Sequence, residues 1–224
     1  AYDQLVSMGK VGEVQQRHAT AFLTYAERSK PGLYGAEAQQ VRNQLELDID
    51  NFRSAFSWGV TLEGSTLCPG LALRLAAALA RFWYMVPDWR EGKRWLDESG
   101  AVTPVVPPDL AAHVQLGFGI FEHAWGHYAI ALAHFEASRD LFAQGNDPWF
   151  AAWIHSQIFQ CHFAEGRLAE AERSIQESLA RFHRLHEPWA TGIASWQLGH
   201  IFLVRHKYDQ AQQVAEEGFQ RPPD

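Results

Sequence analysis

The sequence predicts an all-α chain, a right-handed superhelical array of antiparallel helix pairs. Three observations predict it. Gly126-His127-Tyr128-Ala129-Ile130-Ala131, Gly166-Arg167-Leu168-Ala169-Glu170-Ala171 and His206-Lys207-Tyr208-Asp209-Gln210-Ala211 follow one another at a spacing of 40 residues. The connecting turns repeat as well: Asp147-Pro148-Trp149 returns as Glu187-Pro188-Trp189, and Phe142 as Phe182. No segment shows sustained strand alternation. A fixed period in this range is the mark of stacked helical units, each too small to bury its apolar face alone.

Taken in order, Val11 to Arg28 reads as a helix, with Ala19, Phe22, Leu23 and Ala26 at three-four spacing and Lys30-Pro31-Gly32 as its stop. Residues 36–60 read as one long helix with Leu45, Ile49, Phe52 and Phe56 as its stripe. Residues 61–70, with Gly64, Ser65, Thr66 and Pro69-Gly70, read as a loop. A strongly apolar helix over 71–86 ends at Pro87, because the residue before proline is pushed away from helical dihedrals. A short helix over 89–98 follows.

The proline-rich connector 104–108 precedes helices at about 110–125, 127–144, 149–165, 167–185, 189–205 and 207–218. No domain boundary is expected at that connector, because Trp89, Gly92 and Leu96 already stand 39 residues ahead of Tyr128, Ala131 and Phe135. Within the repeat, Ala131, Ala171 and Ala211 let paired helices approach. The side chains at 128, 168 and 208 fill the gap beside them, and Gly126 and Gly166 serve the turn.

Composition narrows the function. A net charge of -7, with no Lys/Arg run longer than two, argues against direct nucleic-acid contact. Nine Trp and fourteen Phe are many for 224 residues and point to packed helix–helix contacts. Cys68 and Cys161, far apart, suit two buried thiols in a reducing cytoplasm better than a disulfide framework. No signal peptide is visible, and Arg74, Arg81 and a Pro-Gly pair interrupt the most apolar stretch, residues 67–86, so it is no membrane span. The start at Ala1 and the end at Arg221-Pro222-Pro223-Asp224, where a further helix is due, suggest a piece of a longer protein.

The small-residue and aromatic pattern resembles the tetratricopeptide repeat, whose period is about 34 residues. The longer period here is a departure. Leu198-Gly199 with Phe202 keeps that family's Leu-Gly pair, Gly119 keeps the glycine, and Phe159 loses it. A second resemblance covers nearly the whole chain. Arg17-His18-Ala19, Phe22-Leu23, Ala26-Glu27 and Leu33-Tyr34-Gly35 carry it. So do Asp50-Asn51-Phe52-Arg53-Ser54-Ala55-Phe56-Ser57-Trp58, and Leu71 to Leu79 with Arg81-Phe82-Trp83-Tyr84 and Glu91-Gly92-Lys93-Arg94-Trp95-Leu96. These segments are similar to ones in large ATP-dependent transcriptional activators, the AfsR and LuxR-type signal-transduction ATPases.

That resemblance implies three parts: residues 1–13 as the tail of a preceding winged helix, 14–100 as the N-terminal part of the array, and 101–224 as tetratricopeptide-like repeats in one continuous solenoid. It also implies a sensor segment acting on ATPase and DNA-binding domains of the same longer chain. No Gly-rich loop ending in Gly-Lys-Ser/Thr appears here, so nothing cradles ATP phosphates.

Sliding the repeat register along the chain, the first helix of each pair lines the concave surface. The residues expected to face inward are Arg74, Arg81 and Tyr84, then His113, Ile120 and His123, then Trp153, Ser156 and Gln160, then Ile193, Trp196 and His200. Rings interleaved with a few polar groups suit a small-molecule effector or a protein partner. Trp153 and Trp196 read equally as interhelical packing. Arg74 and Arg81, on one face of the most apolar helix, call for an anion, either Glu46, Asp48 or Asp50 of the neighbouring helix or an acidic ligand.

His183/His186 and His123/His127 supply too few converging groups for a metal, and no nucleophile turn such as G-x-S-x-G is present. No cofactor and no catalysis are expected. The rival readings are a stand-alone adaptor that scaffolds protein partners and a helical enzyme with an unfamiliar site. Self-association through the last helix, 207–219, is a further expectation, since arrays need capping.

Overall fold

The structure is a computed structural model and describes residues 10–103, 105–145 and 147–219. The predicted winged-helix tail therefore lies mostly outside the described residues, apart from Lys10 and the start of the first helix. Among the described residues the chain is all-helical, with no strand. Twelve α-helices follow in order: α1 Val11–Ser29, α2 Ala38–Leu47, α3 Ile49–Gly59, α4 Leu62–Leu67, α5 Leu71–Met85, α6 Trp89–Ala101, α7 Pro108–Ala124, α8 Tyr128–Gln144, α9 Pro148–Ala164, α10 Leu168–Leu185, α11 Pro188–Val204 and α12 Tyr208–Phe219. A 3-10 turn, Pro31–Tyr34, follows α1. The chain divides into two compact units between Gly117 and Phe118, inside α7.

Three predictions fail locally. The long helix over 36–60 is two helices, broken at Asp48 (φ -107°, ψ 16°). There the Asp48 carboxylate accepts from Asn51 Nδ2 at 3.0 Å, and its carbonyl accepts from the Asn51 and Phe52 amides. Asp48 is thus the C-cap of one helix and the N-cap of the next, with its backbone outside helical dihedrals. The loop over 61–70 contains α4, which Thr61 caps by accepting from the Gly64 amide at 3.0 Å. Gly64 is required there, because a Cβ would stand 2.1 Å from the Trp58 carbonyl oxygen. The helix predicted over 89–98 runs on to Ala101.

In the first unit α5 is the centre. Eleven of its residues are buried, and it packs on α1, α3 and α6. Aromatic rings tie these helices together. Phe52 meets Phe22 edge-on at 5.3 Å, Phe56 stacks on Trp95 at 4.3 Å, and Trp95 meets Trp83 at 5.1 Å. Such pairs stabilise beyond their buried area. At the rim of this core Arg53 donates twice to Glu91, at 2.9 and 2.7 Å, joining α3 to α6. Arg53 also holds Asp50 at 3.1 Å.

In the second unit consecutive helices pack on one another from α8 to α12. The turns between them are short, which makes neighbours antiparallel. Four of the turns close with the same two bonds. The amides of His127, Arg167, Glu187 and Lys207 donate to the carbonyls of Glu122, His162, Phe182 and Phe202, five residues back. Those of Gly126, Gly166, His186 and His206 donate three residues back. This closure needs a left-handed residue, and the φ values are +79°, +73°, +56° and +58°. Glycine meets the need in the first two. His186 and His206 take the position in the others, where a Cβ brings strain.

Ala131, Ala171 and Ala211 are buried, as the repeat requires. Tyr208 does not fill the gap assigned to it: it is 61% exposed, since no further described helix covers α12. A second small-residue register escaped the sequence reading. Ser99, Ser138 and Ser178 are fully buried and repeat at 39 and 40 residues, and Gly218 continues the series. The Ser178 hydroxyl donates to the Ala152 carbonyl across the helix contact at 3.0 Å.

Close packing makes one substitution diagnostic. A Cβ on Gly119 of α7 would lie 2.4 Å from the buried Phe135 ring of α8. Gly119→Ala is expected to lower the unfolding free energy by about 1–3 kcal/mol, the usual cost of overpacking. Urea denaturation monitored by far-ultraviolet circular dichroism checks it; an unchanged midpoint would show that the α7–α8 contact is looser than described.

Candidate functional site

The second unit offers the more open of the candidate surfaces. α9 and α11 stand side by side. Trp153 stacks on Trp189 at 6.2 Å, Ser156 donates to Gln197 at 2.5 Å, and Phe163 stacks on His200 at 6.5 Å. These contacts occur in the same order along both helices, so the two run in the same direction. Each is 17 residues long, and neither contains an Asp, Glu, Lys or Arg. A helix apolar on all sides is expected to be buried on all sides. Here one face is not. Ile193, Trp196, His200 and Leu203 recur at three-four spacing on α11. Trp196 is 54% exposed and Leu203 48%, while Ile193 and His200 are half-buried. Gln160 and Phe163, both half-buried, carry the surface onto α9. Trp196 meets His200 edge-on at 4.2 Å.

The inward-facing predictions divide accordingly. Trp196, His200, Gln160 and Ile193 reach this surface. Trp153 does not: it is 5% exposed and sandwiched between Trp149 at 5.4 Å and Trp189. Ser156 is also buried, its hydroxyl spent on Gln197, and Ile120 is core at 2% exposure. These three are corrected to packing positions. Spacing alone put Trp153 and Trp196 on equal terms; the neighbouring Trp149 and Trp189 decide between them. Phe163 and Leu203 were missed, although the absence of charge from both helices was readable.

In the first unit Arg74 and Arg81 part company. Arg74 is half-exposed, and its Nε and Nη2 each donate to Glu27 at 2.8 Å. Its partner is thus on α1 and is none of Glu46, Asp48 and Asp50. Those three serve their own neighbourhood: Glu46 pairs with Arg42, Asp48 with Asn51 and Asp50 with Arg53. Arg81 stands over the rings of Tyr84 at 5.2 Å and Tyr34 at 5.8 Å. Tyr34 is buried, which pushes its hydroxyl up to about 12. His113 Nε2 lies 3.0 Å from the Lys30 ammonium, which donates to it. Burial first, and the Lys30 charge second, lower His113 to about 3. His123, in the second unit, leans on Tyr128 at 5.3 Å, and burial lowers it as well.

Neither thiol is placed for chemistry. Burial pushes Cys161 up to about 12, and Cys68, only partly buried, accepts weakly from Gln16 Nε2 at 3.5 Å. Among the described residues no group of three or more His, Cys, Asp or Glu is placed to hold a metal ion. A cavity of about 210 Å³ lies where α10, α11 and α12 meet, lined by His183, His186, Glu187 and Glu217 among others, and a shallow concavity follows α1 past Arg17 and His18. Neither includes a residue of the aromatic surface. No helix among the described residues is long and apolar enough to cross a membrane. Compared with known proteins, the chain matches no protein-family model and no curated protein.

The buried histidines set a pH dependence. His113 is lowered to about 3, and His155 to about 4 by burial and by Arg181. Unfolding returns both to about 6.5. The unfolded chain therefore binds more protons between those values, and stability falls as pH falls below about 6.5 toward 4. His113→Gln, which keeps an acceptor for Lys30 but cannot titrate, is expected to lose less stability than the wild type between pH 7 and pH 4. Urea midpoints at the two pH values test it; equal losses would clear His113 of the effect.

Proposed function

We propose that this chain is the ligand- or partner-binding segment of a larger cytoplasmic transcriptional regulator and is not itself catalytic. In this reading the helix pairs form a tetratricopeptide-like, right-handed superhelical array. Its binding surface in the second unit is the uncharged face of Gln160, Phe163, Ile193, Trp196, His200 and Leu203. The observation that carries the reading is the half-exposed Trp196 on a helix without a single charged residue. An exposed apolar patch with a few polar groups is the usual mark of an interaction site. The regulator role rests on the resemblance of residues 17–96 to the ATP-dependent activators. The ATPase and DNA-binding parts would belong to the same longer chain. An effector or protein on this face would favour one arrangement of the array and so bias the attached switch.

A photo-crosslinking residue placed at Trp196 or Leu203, in cells, tests the surface. Both positions are expected to trap the same effector or protein, and the exposed Arg173 on α10 is expected not to. Equal labelling at all three positions would dispose of the binding face. Trp196→Ala is expected to leave stability within about 0.5 kcal/mol, as for exposed residues generally, and to change the transcript profile of cells that carry it. An unchanged profile would remove the regulator role while leaving the binding face intact.

A further inference from the structure

Arg74 and Arg81 lie seven residues apart on α5, yet the fold treats them differently. Arg74 receives both oxygens of Glu27. Arg81 pairs with no carboxylate among the described residues. It is half-buried, its Nε is shielded and has no acceptor, and what surrounds its guanidinium is aromatic: Tyr84 at 5.2 Å and Tyr34 at 5.8 Å. Ring faces attract a cation and hold a guanidinium in place, but they do not satisfy N–H donors as an oxygen does. A guanidinium partly stripped of water and left without an acceptor is costly, and an oxyanion across its fork removes that cost.

Lys30 opens the 3-10 turn that carries Tyr34 beneath Arg81, and its ammonium donates to His113. Arg74 supplies the contrast. Where this helix needs an internal ion pair the chain supplies a bidentate carboxylate; at Arg81 it supplies rings that orient the fork and leave its outer N–H groups for a visitor.

We propose that Arg81, positioned by Tyr34 and Tyr84, anchors an oxyanion site that takes the carboxylate or phosphate group of a small acidic ligand. This site lies in the first unit and stands or falls independently of the aromatic face.

The test is a titration of the whole ¹⁵N-labelled chain with sodium phosphate and, separately, sodium acetate, each at constant ionic strength. The Arg side-chain Nε–Hε resonances are followed, with those of Arg81 and Arg74 identified by their loss in Arg81→Lys and Arg74→Lys. The expected result is a saturable shift of the Arg81 resonance with one or both anions, while Arg74 stays in place. The thermal midpoint is expected to rise with the same anion in the wild type and to stay flat in Arg81→Lys. The arm that saturates tells phosphate from carboxylate. A non-saturating drift shared by both arginines, or an equal thermal gain in Arg81→Lys, would overturn the site. If a variant does not fold, judged by circular dichroism, the assignment passes to neighbouring-residue NOEs, and saturation in the wild type with Arg74 as internal reference decides.

Discussion

The close approach of neighbouring helices at small residues is the constraint on which the rest of the structure depends. A helix such as α9 packs against α8, α10 and α11, and large side chains on every face would hold those neighbours off. Ala131, Ala171 and Ala211 on one register, and Ser138, Ser178 and Gly218 on another, remove the obstacle. The large rings then fill the space between crossings. Phe135, Phe142 and Phe182 are almost wholly buried, and the Trp149, Trp153 and Trp189 stack links successive pairs. Interiors packed to this density leave no room for a methylene at the crossings. This is why the small positions repeat more faithfully than the large ones.

Much of this was legible because turns and crossings are dictated locally. The left-handed turn at Gly126 and Gly166, the Asp147 cap that accepts from Phe150, and the proline that opens α9 and α11 are all written in single residues. What was not legible depends on neighbours. The break at Asp48 lies in its backbone dihedrals, which helical periodicity does not register. The Ser99, Ser138 and Ser178 series looks polar by composition and is core by position. On the site, spacing could place Trp153, Ser156 and Trp196 on one kind of face; only the partners Trp189 and Gln197 show that the first two are closed off. The Arg74 partner was missed because Glu27 is 47 residues away on α1, beyond the neighbouring helix that the sequence suggested.

The segments that carry the resemblance to the ATP-dependent activators have a physical explanation of their own. In Asp50–Trp58 the residues Phe52, Ala55, Phe56 and Trp58 are buried, and Arg53 reaches Glu91 in the second matching segment. Trp95 of that segment receives Phe56 and Trp83. These motifs are therefore the means by which α3, α5 and α6 are locked together. Most of their large apolar side chains are spent on that packing, while Arg81 and Tyr84 are only half-buried.

A few large or charged side chains are not accounted for by packing. Most of the Trp and Arg side chains here have a structural use: Trp58, Trp83, Trp95 and Trp153 in the core, Arg53 and Arg74 on carboxylates. Trp196 and Arg81 differ. Folding would proceed with a polar residue in place of Trp196, since Gln197, Leu198, Ile201 and Phe202 already bury the inner face of α11. It would proceed with a shorter neutral side chain in place of Arg81, since Phe82, Trp83 and Leu79 carry the inner contacts of α5. An exposed indole and a half-buried guanidinium whose Nε has no acceptor are both costly in the free protein. Each becomes favourable when something covers it, an apolar partner in one case and an oxyanion in the other.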